Sequence, residues 1–152
     1  MPTYTITISR ANVISDMKVK SHAEVATIAD PTERYLVEAG TEKLEEINQC
    51  ITNASTEVNS LLLRFLSGTS GAATATDSYE TADIIYTLDM PEAPTPTFAA
   101  ELTRAIHAYI VDSALALFYQ SVSQGNLSTM HASKLPSEIT IIRKLIYYRP
   151  MP

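Results

Sequence analysis

Leu44 to Leu66, LEEINQCITNASTEVNSLLLRFL, is the stretch whose reading decides the fold. Leu44, Ile47, Ile51, Ala54, Val58, Leu61 and Phe65 recur at spacings of three and four. That spacing keeps one side of an α-helix apolar for about six turns. Such a stripe is the seam of a helical hairpin, bundle or coiled coil. Upstream, Asp30-Pro31-Thr32-Glu33 is a helix start: Asp30 caps, Pro31 fits the first helical position and Glu33 completes a capping box. One long helix is therefore expected from Pro31 to Leu66, with a bend at Gly40.

Working outward, Thr3 to Ser9 alternates Tyr4, Ile6 and Ile8 with threonines, the pattern of a short strand with one polar face. Ala11 to Ala29 carries Val13, Ile14, Met17, Val25 and Ile28 and reads as a helix. Ser67 to Thr76 holds only Ser, Gly, Thr and Ala and reads as a flexible loop. No Gly-Lys-Ser/Thr follows it, so it is not a phosphate cradle. Tyr79 to Leu88 reads as a strand through Ala82, Ile84, Tyr86 and Leu88, and the prolines between Met90 and Pro96 end it. A second long helix begins at Thr95-Pro96 or at Thr97 and runs to about Val122 on Phe98, Leu102, Ile106, Tyr109, Ile110, Leu117 and Phe118. Ser123 to Ser133 is a polar break, and a last helix runs from Pro136 to Tyr148, stopped by Pro150. The fold class expected is mainly α, a helical bundle built on two long helices plus a C-terminal helix, with a short N-terminal strand and a small β insert. It forms one domain over residues 1–152, divided into 1–30, 31–66, 67–96, 97–122 and 123–152.

The chain has 152 residues, 45% hydrophobic and 18% charged, with net charge −6. A chain of this length buries roughly 70% of its unfolded surface and needs neither metal nor disulfide to fold. The lone Cys50 has no partner for an internal disulfide, and it sits on the apolar stripe as an inert core thiol. The N-terminus lacks the basic start and apolar run of a signal peptide. No apolar run approaches the ~20 residues that cross a bilayer.

The three histidines, His22, His107 and His131, form no metal-ligand spacing, and His107 reads as a helix-boundary residue. No nucleophile elbow, metal set or phosphate loop is present, so no enzyme activity, catalytic residue, metal or cofactor is expected. Glu42, Glu45 and Glu46 read as a solvated helix face. Asp77, Glu80, Asp83, Asp89 and Glu92 crowd a segment with no Lys or Arg and no glycine-turned calcium loop. From Lys134 onward the balance reverses: Lys134, Arg143, Lys144 and Arg149 face only Glu138, a net +3 that leaves −9 on the rest. Opposite charge at opposite places suits head-to-tail contact, with the acidic segment as an inter-subunit surface. Four cations with Tyr147 and Tyr148 are too few to favour an RNA-binding tail.

From Asp30 to Arg149 the order of parts resembles the head-to-tail connector (adaptor) proteins of long-tailed bacteriophages. The likeness lies in the helix ending Leu61-Leu62-Leu63-Arg64-Phe65-Leu66 and in the helix from Phe98 to Val122, with Ala105-Ile106 early and Tyr119 near its end. Its most family-like piece is Leu135-Pro136-Ser137-Glu138-Ile139 leading to Leu145-Ile146-Tyr147-Tyr148-Arg149. The N-terminal strand and the insert from Ser67 to Pro96 depart from the shorter members. The resemblance implies a structural virion protein, assembled in the host cytoplasm into a ring of about twelve copies in the neck. Its partners are then itself, the portal protein, the next neck or tail protein and DNA passing without specific binding. Arg143, Lys144, Tyr147, Tyr148 and Arg149 would lie at the docking end. A neck stopper or tail-completion protein, or a helical regulatory or ligand-binding protein, are the alternatives.

Overall fold

The computed structural model describes residues 3–39, 43–70, 83–89 and 97–147. In chain order the elements are β1 (Thr3–Ile8), α1 (Arg10–Val25), α2 (Pro31–Val37), α3 (Leu44–Leu62), β2 (Leu66–Ser70), β3 (Ile84–Asp89), α4 (Phe98–Ser121), α5 (Gly125–Ala132) and α6 (Leu135–Tyr147). The fold is mainly helical, with a small antiparallel sheet made by the N-terminal strand and the insert, as the hydrophobic periods predict.

Helix α4 is the axis. Every residue from Tyr109 to Ala116 is buried, along with Phe98, Leu102, Ile106, Phe118 and Tyr119. A helix buried around most of its circumference needs neighbours on several sides, and α1, α3, α5, α6 and β1 all pack on it. The α3 stripe faces it: Ile47, Ile51, Ala54, Val58 and Leu62 are fully buried. Phe65 is buried just beyond the helix, and Leu44 and Leu61 are half-buried at the stripe's margins.

The sheet has strand order β1-β3-β2. In β1 against β3, Ile6 pairs with Tyr86 and Ile8 with Ile84, so one face of the pair is apolar and buried. Tyr86 donates its hydroxyl to the Ser55 carbonyl of α3 at 2.9 Å. The Tyr4 ring meets Phe98 edge-on at 5.5 Å. These two contacts fix the sheet to α3 and to the start of α4.

Three expectations need correction. The helix expected from Pro31 to Leu66 is two helices. The chain turns extended at Glu38 (φ −78°, ψ 139°). The break is held from another helix and from within: Ala39 N–H donates to Ser21 Oγ on α1 at 2.8 Å. Lys43 Nζ donates to the carbonyls of Tyr35, Leu36 and Glu38, satisfying the end of α2. Gly40, the expected bend, lies outside the described residues. Second, the expected loop from Ser67 begins as strand β2, paired with β3 through a register shift between Leu66 and Gly68. Third, the polar break from Ser123 to Ser133 contains α5. Ser123 takes a left-handed conformation (φ 62°) that ends α4, Gln124 N–H returns to the Tyr119 carbonyl at 2.8 Å, and Ser128 Oγ donates to the Ala116 carbonyl at 2.8 Å.

The remaining boundaries shift only slightly. Ser9 caps α1 by accepting from Asn12 N–H, and Asp30 caps α2 by accepting from Thr32 N–H at 3.0 Å. The strand expected from Tyr79 is seen as Ile84–Asp89, with residues 79–82 outside the described residues, as is the proline segment 90–96.

Ile51 has no exposed surface and belongs to the continuous core cluster. Ile51→Asp is expected to cost about 4 kcal/mol or more by burying an unpaired charge. Gln49→Asp, on the exposed side of the same helix, should stay within about 0.5 kcal/mol of the parent. Urea unfolding of both variants checks this; equal midpoints would place the stripe outside the core.

Candidate functional site

Of the C-terminal docking residues, Arg143 and Lys144 are exposed on α6, and Tyr147 closes that helix. Tyr148 and Arg149 lie outside the described residues. Of the acidic segment, Asp83 is exposed beside the sheet and accepts the Arg10 N–H at 3.3 Å, which helps to start α1. Asp89 ends β3 half-buried, with its N–H on the Phe65 carbonyl. Asp77, Glu80 and Glu92 are outside the described residues. The structure therefore ties the two described acids to the sheet and brings neither to α6. Glu45 and Glu46 lie exposed on α3, and Glu42 is outside the described residues.

Cys50 is buried, and burial first, then the nearby charge of Glu46, pushes its thiol up to about 11. A thiol so rarely ionised near neutral pH is a poor nucleophile. His22 meets Glu38 at 2.7 Å at the surface, and His107 on α4 meets Asp16 on α1 at 2.6 Å.

The third histidine is different. His131, on α5, is 1% exposed and lies between two carboxylates from two other helices. Its Nδ1 is 2.8 Å from Asp112 Oδ1 of α4, and its Nε2 is 2.6 Å from Glu24 Oε2 of α1. The Tyr119 ring stacks on the imidazole at 5.7 Å, and its hydroxyl donates to Glu24 Oε1 at 3.3 Å. Lys20 Nζ stands 4.0 Å from Asp112 Oδ1. Glu138, in the first turn of α6, adds a third carboxyl against Asp112.

Two carboxyls in contact cannot both be ionised cheaply, so the pair retains a proton. Burial raises Asp112, but hydrogen bonds from His131 and Glu138 and the charges of Lys20 and His131 outweigh it and bring that carboxyl down to about 2. Burial, then the hydrogen bond to Asp112 and its negative charge, push Glu138 up to about 8, against the opposing charges of Lys20 and Lys134. Glu138 thus carries the proton near neutral pH and donates it to Asp112. Its buried Oε2 meets no donor, which suits a carboxyl that keeps its own hydrogen.

This cluster joins α1, α4, α5 and α6. An imidazolium at His131 donates to both carboxylates; a neutral ring donates to one and turns a lone pair on the other. Both ring nitrogens are occupied and the ring is buried, so it has no free nitrogen for a substrate. The carboxylates sit on opposite edges of the ring rather than around a common point. Among the described residues no group of His, Cys, Asp and Glu is placed to hold a metal ion. The arrangement stores a proton and cross-links helices. Sequence reading missed it, although Asp112 in the apolar run Ile110-Val111-Asp112-Ser113-Ala114-Leu115 is a signal: a carboxylate on a buried helix requires partners.

Two grooves open on the surface. One, between α1 and α2, encloses about 270 Å³ and is lined by residues such as His22, Arg34 and Glu38. The other, about 420 Å³, lies where β1 meets α4, beside His107 and Arg104. Among the described residues no helix is long and apolar enough to cross a membrane. Comparison with protein-family models, curated proteins and solved structures finds no match for this chain.

Because the Glu138 carboxyl is raised from 4.5 to about 8 on folding, the stability it contributes is fully present below 4.5. That contribution is lost as pH rises through about 8. Between about pH 6 and 9 the melting temperature should fall by about 3 °C more in the parent than in Glu138→Gln. This corresponds to roughly 1 kcal/mol after solvent screening of a half-exposed carboxyl. Thermal melts at stepped pH read the difference; parallel pH profiles would show that Glu138 holds no proton.

Proposed function

We propose that the chain is a structural protein of a bacteriophage neck, a non-catalytic adaptor forming a ring between portal and tail and extending the DNA channel. What carries the reading is the outer side of α6. There Ile141, Arg143 and Lys144 are all exposed, on a chain whose net charge is −6. An exposed isoleucine with a cation one turn on, at Lys144, suits a protein-docking surface. The chain order, with two long helices and a proline-bearing last helix, supports placing that surface at the portal end, as in the connectors this sequence resembles.

The chemistry of the interior agrees with an assembly role. The buried imidazole and carboxylates bind one another and leave no ligand position, while the helices they join present long polar sides outward. An acidic balance also suits a channel wall, since carboxylates repel phosphate and let DNA pass without sticking. The site of action is then the virion neck, assembled in the host cytoplasm, with the portal and the next neck or tail protein as partners.

Light scattering of the protein alone and after mixing with particles whose portal is exposed tests this. A 16.7 kDa subunit assembling about twelvefold gives a ring of about 200 kDa, or saturation near twelve copies per portal. A monomer or dimer indifferent to the portal would overturn the neck assignment in favour of a regulatory or ligand-binding protein.

A further inference from the structure

Arg143 and Lys144 on α6, and Glu45 and Glu46 on α3, are exposed and form no ion pair with any of the described residues. Lys43, the nearest cation in sequence to the two glutamates, spends its ammonium on three carbonyls of the α2 end. The two helices pack on α4, but α3 and α6 make no substantial contact with each other. Each therefore keeps an exposed outer side, one acidic and one basic.

We propose, resting on the ring reading above, that copies of this chain join through a heterologous helix-on-helix contact. The basic outer side of α6 in one copy lies on the acidic outer side of α3 in the next. Two α6 faces, or two α3 faces, would set like charges together, so the charge pattern opposes a two-fold dimer through either one. Two different, complementary faces on one subunit generate head-to-tail association, which closes into a ring when the rotation per subunit allows it.

The residue spacing gives the contact a register. On α6, Ser137, Ile141 and Lys144 follow one another at helical spacing, and on α3 the exposed series is Glu45 or Glu46, Gln49 and Asn53. Running antiparallel, Lys144 meets Glu45 and Glu46, Ile141 covers the Gln49 methylenes and Ser137 faces Asn53. The exposed length of α3 from Glu45 to Ser60 spans about 22 Å, close to the roughly 20 Å of α6. In this arrangement each charge also sits at the helix end its macrodipole favours, the carboxylates near the start of α3 and the cations near the end of α6.

Two charge-reversed variants test the contact, Glu45→Lys with Glu46→Lys, and Arg143→Glu with Lys144→Glu. All four positions are exposed, so both variants should stay folded, with melting lowered only by the lost helix-dipole interaction, and circular dichroism verifies that first. At low ionic strength, where such pairs are least screened, native mass spectrometry should find rings for the parent. Each variant alone should need at least about a tenfold higher concentration to assemble, and an equimolar mixture of the two should assemble like the parent. Rings from either variant alone, or a mixture no better than its components, would overturn the α6-on-α3 contact while leaving the ring reading standing. A parent that forms no ring, alone or on portal-bearing particles, would remove the reading on which the contact rests. Gln49→Cys with Ile141→Cys adds a geometric check. Oxidation should give a ladder of disulfide-linked multimers, and a strictly monomeric band from assembled rings would overturn the register.

Discussion

Asp112 places a carboxylate in the middle of the most deeply buried helix of the chain, and the C-terminal half of the fold is arranged around it. An ionised carboxylate taken out of water is expensive unless it is paired and hydrogen-bonded. Here the pairing comes from three directions: His131 from α5, Lys20 from α1 and the proton of Glu138 from α6. For α5 this is the main reason to be where it is. Its one buried residue is His131, and its apolar support is limited to the half-buried Leu127. Helix α6 has more to hold it, since Ile142 and Ile146 are fully buried, but its first turn is set by the carboxyl pair.

The N-terminal half answers to the other side of α4. The α3 stripe and the inner face of the sheet share the same core cluster, and the fully buried Tyr86 of that face finds its acceptor on α3. In both halves buried polar groups such as His131, Asp112 and Tyr86 are answered by groups from other elements.

How far this could be read from sequence depends on where the deciding interactions come from. The α3 and α4 stripes, the alternation of β1 and the Asp30 cap are local patterns and are legible. The break after Val37 is only partly legible: Gly40 signals a bend, but Ser21, which holds the Ala39 N–H, acts from another helix. Strand β2, Leu-Ser-Gly-Thr-Ser, has no alternation of its own and is a strand because β3 lies beside it. Helix α5 looks like a polar break because its one buried residue is a histidine. The same blindness hid the His131 cluster, whose members come from four helices, with Lys20 and Glu24 of α1 far from the rest in the chain. The exposed Arg143 and Lys144 were legible, since a helix stripe that fixes Ile142 and Ile146 inward leaves those two positions outside.

Helix α6 connects the interior with the proposed contact. On its inner side Glu138 holds a proton, raised by burial and by Asp112, and on its outer side Arg143 and Lys144 are unneutralised. While the proton is in place α6 carries positive charge only, and the seat that orients its outer face is intact. When pH rises through about 8 the proton leaves, and two effects act in the same direction. Like-charge repulsion between Glu138 and Asp112 loosens the first turn of α6, and the new negative charge reduces the helix's attraction to an acidic neighbour. Under the proposed contact, the buried pair and the exposed cations would act through a single element, and docking strength would follow the protonation state that seats α6.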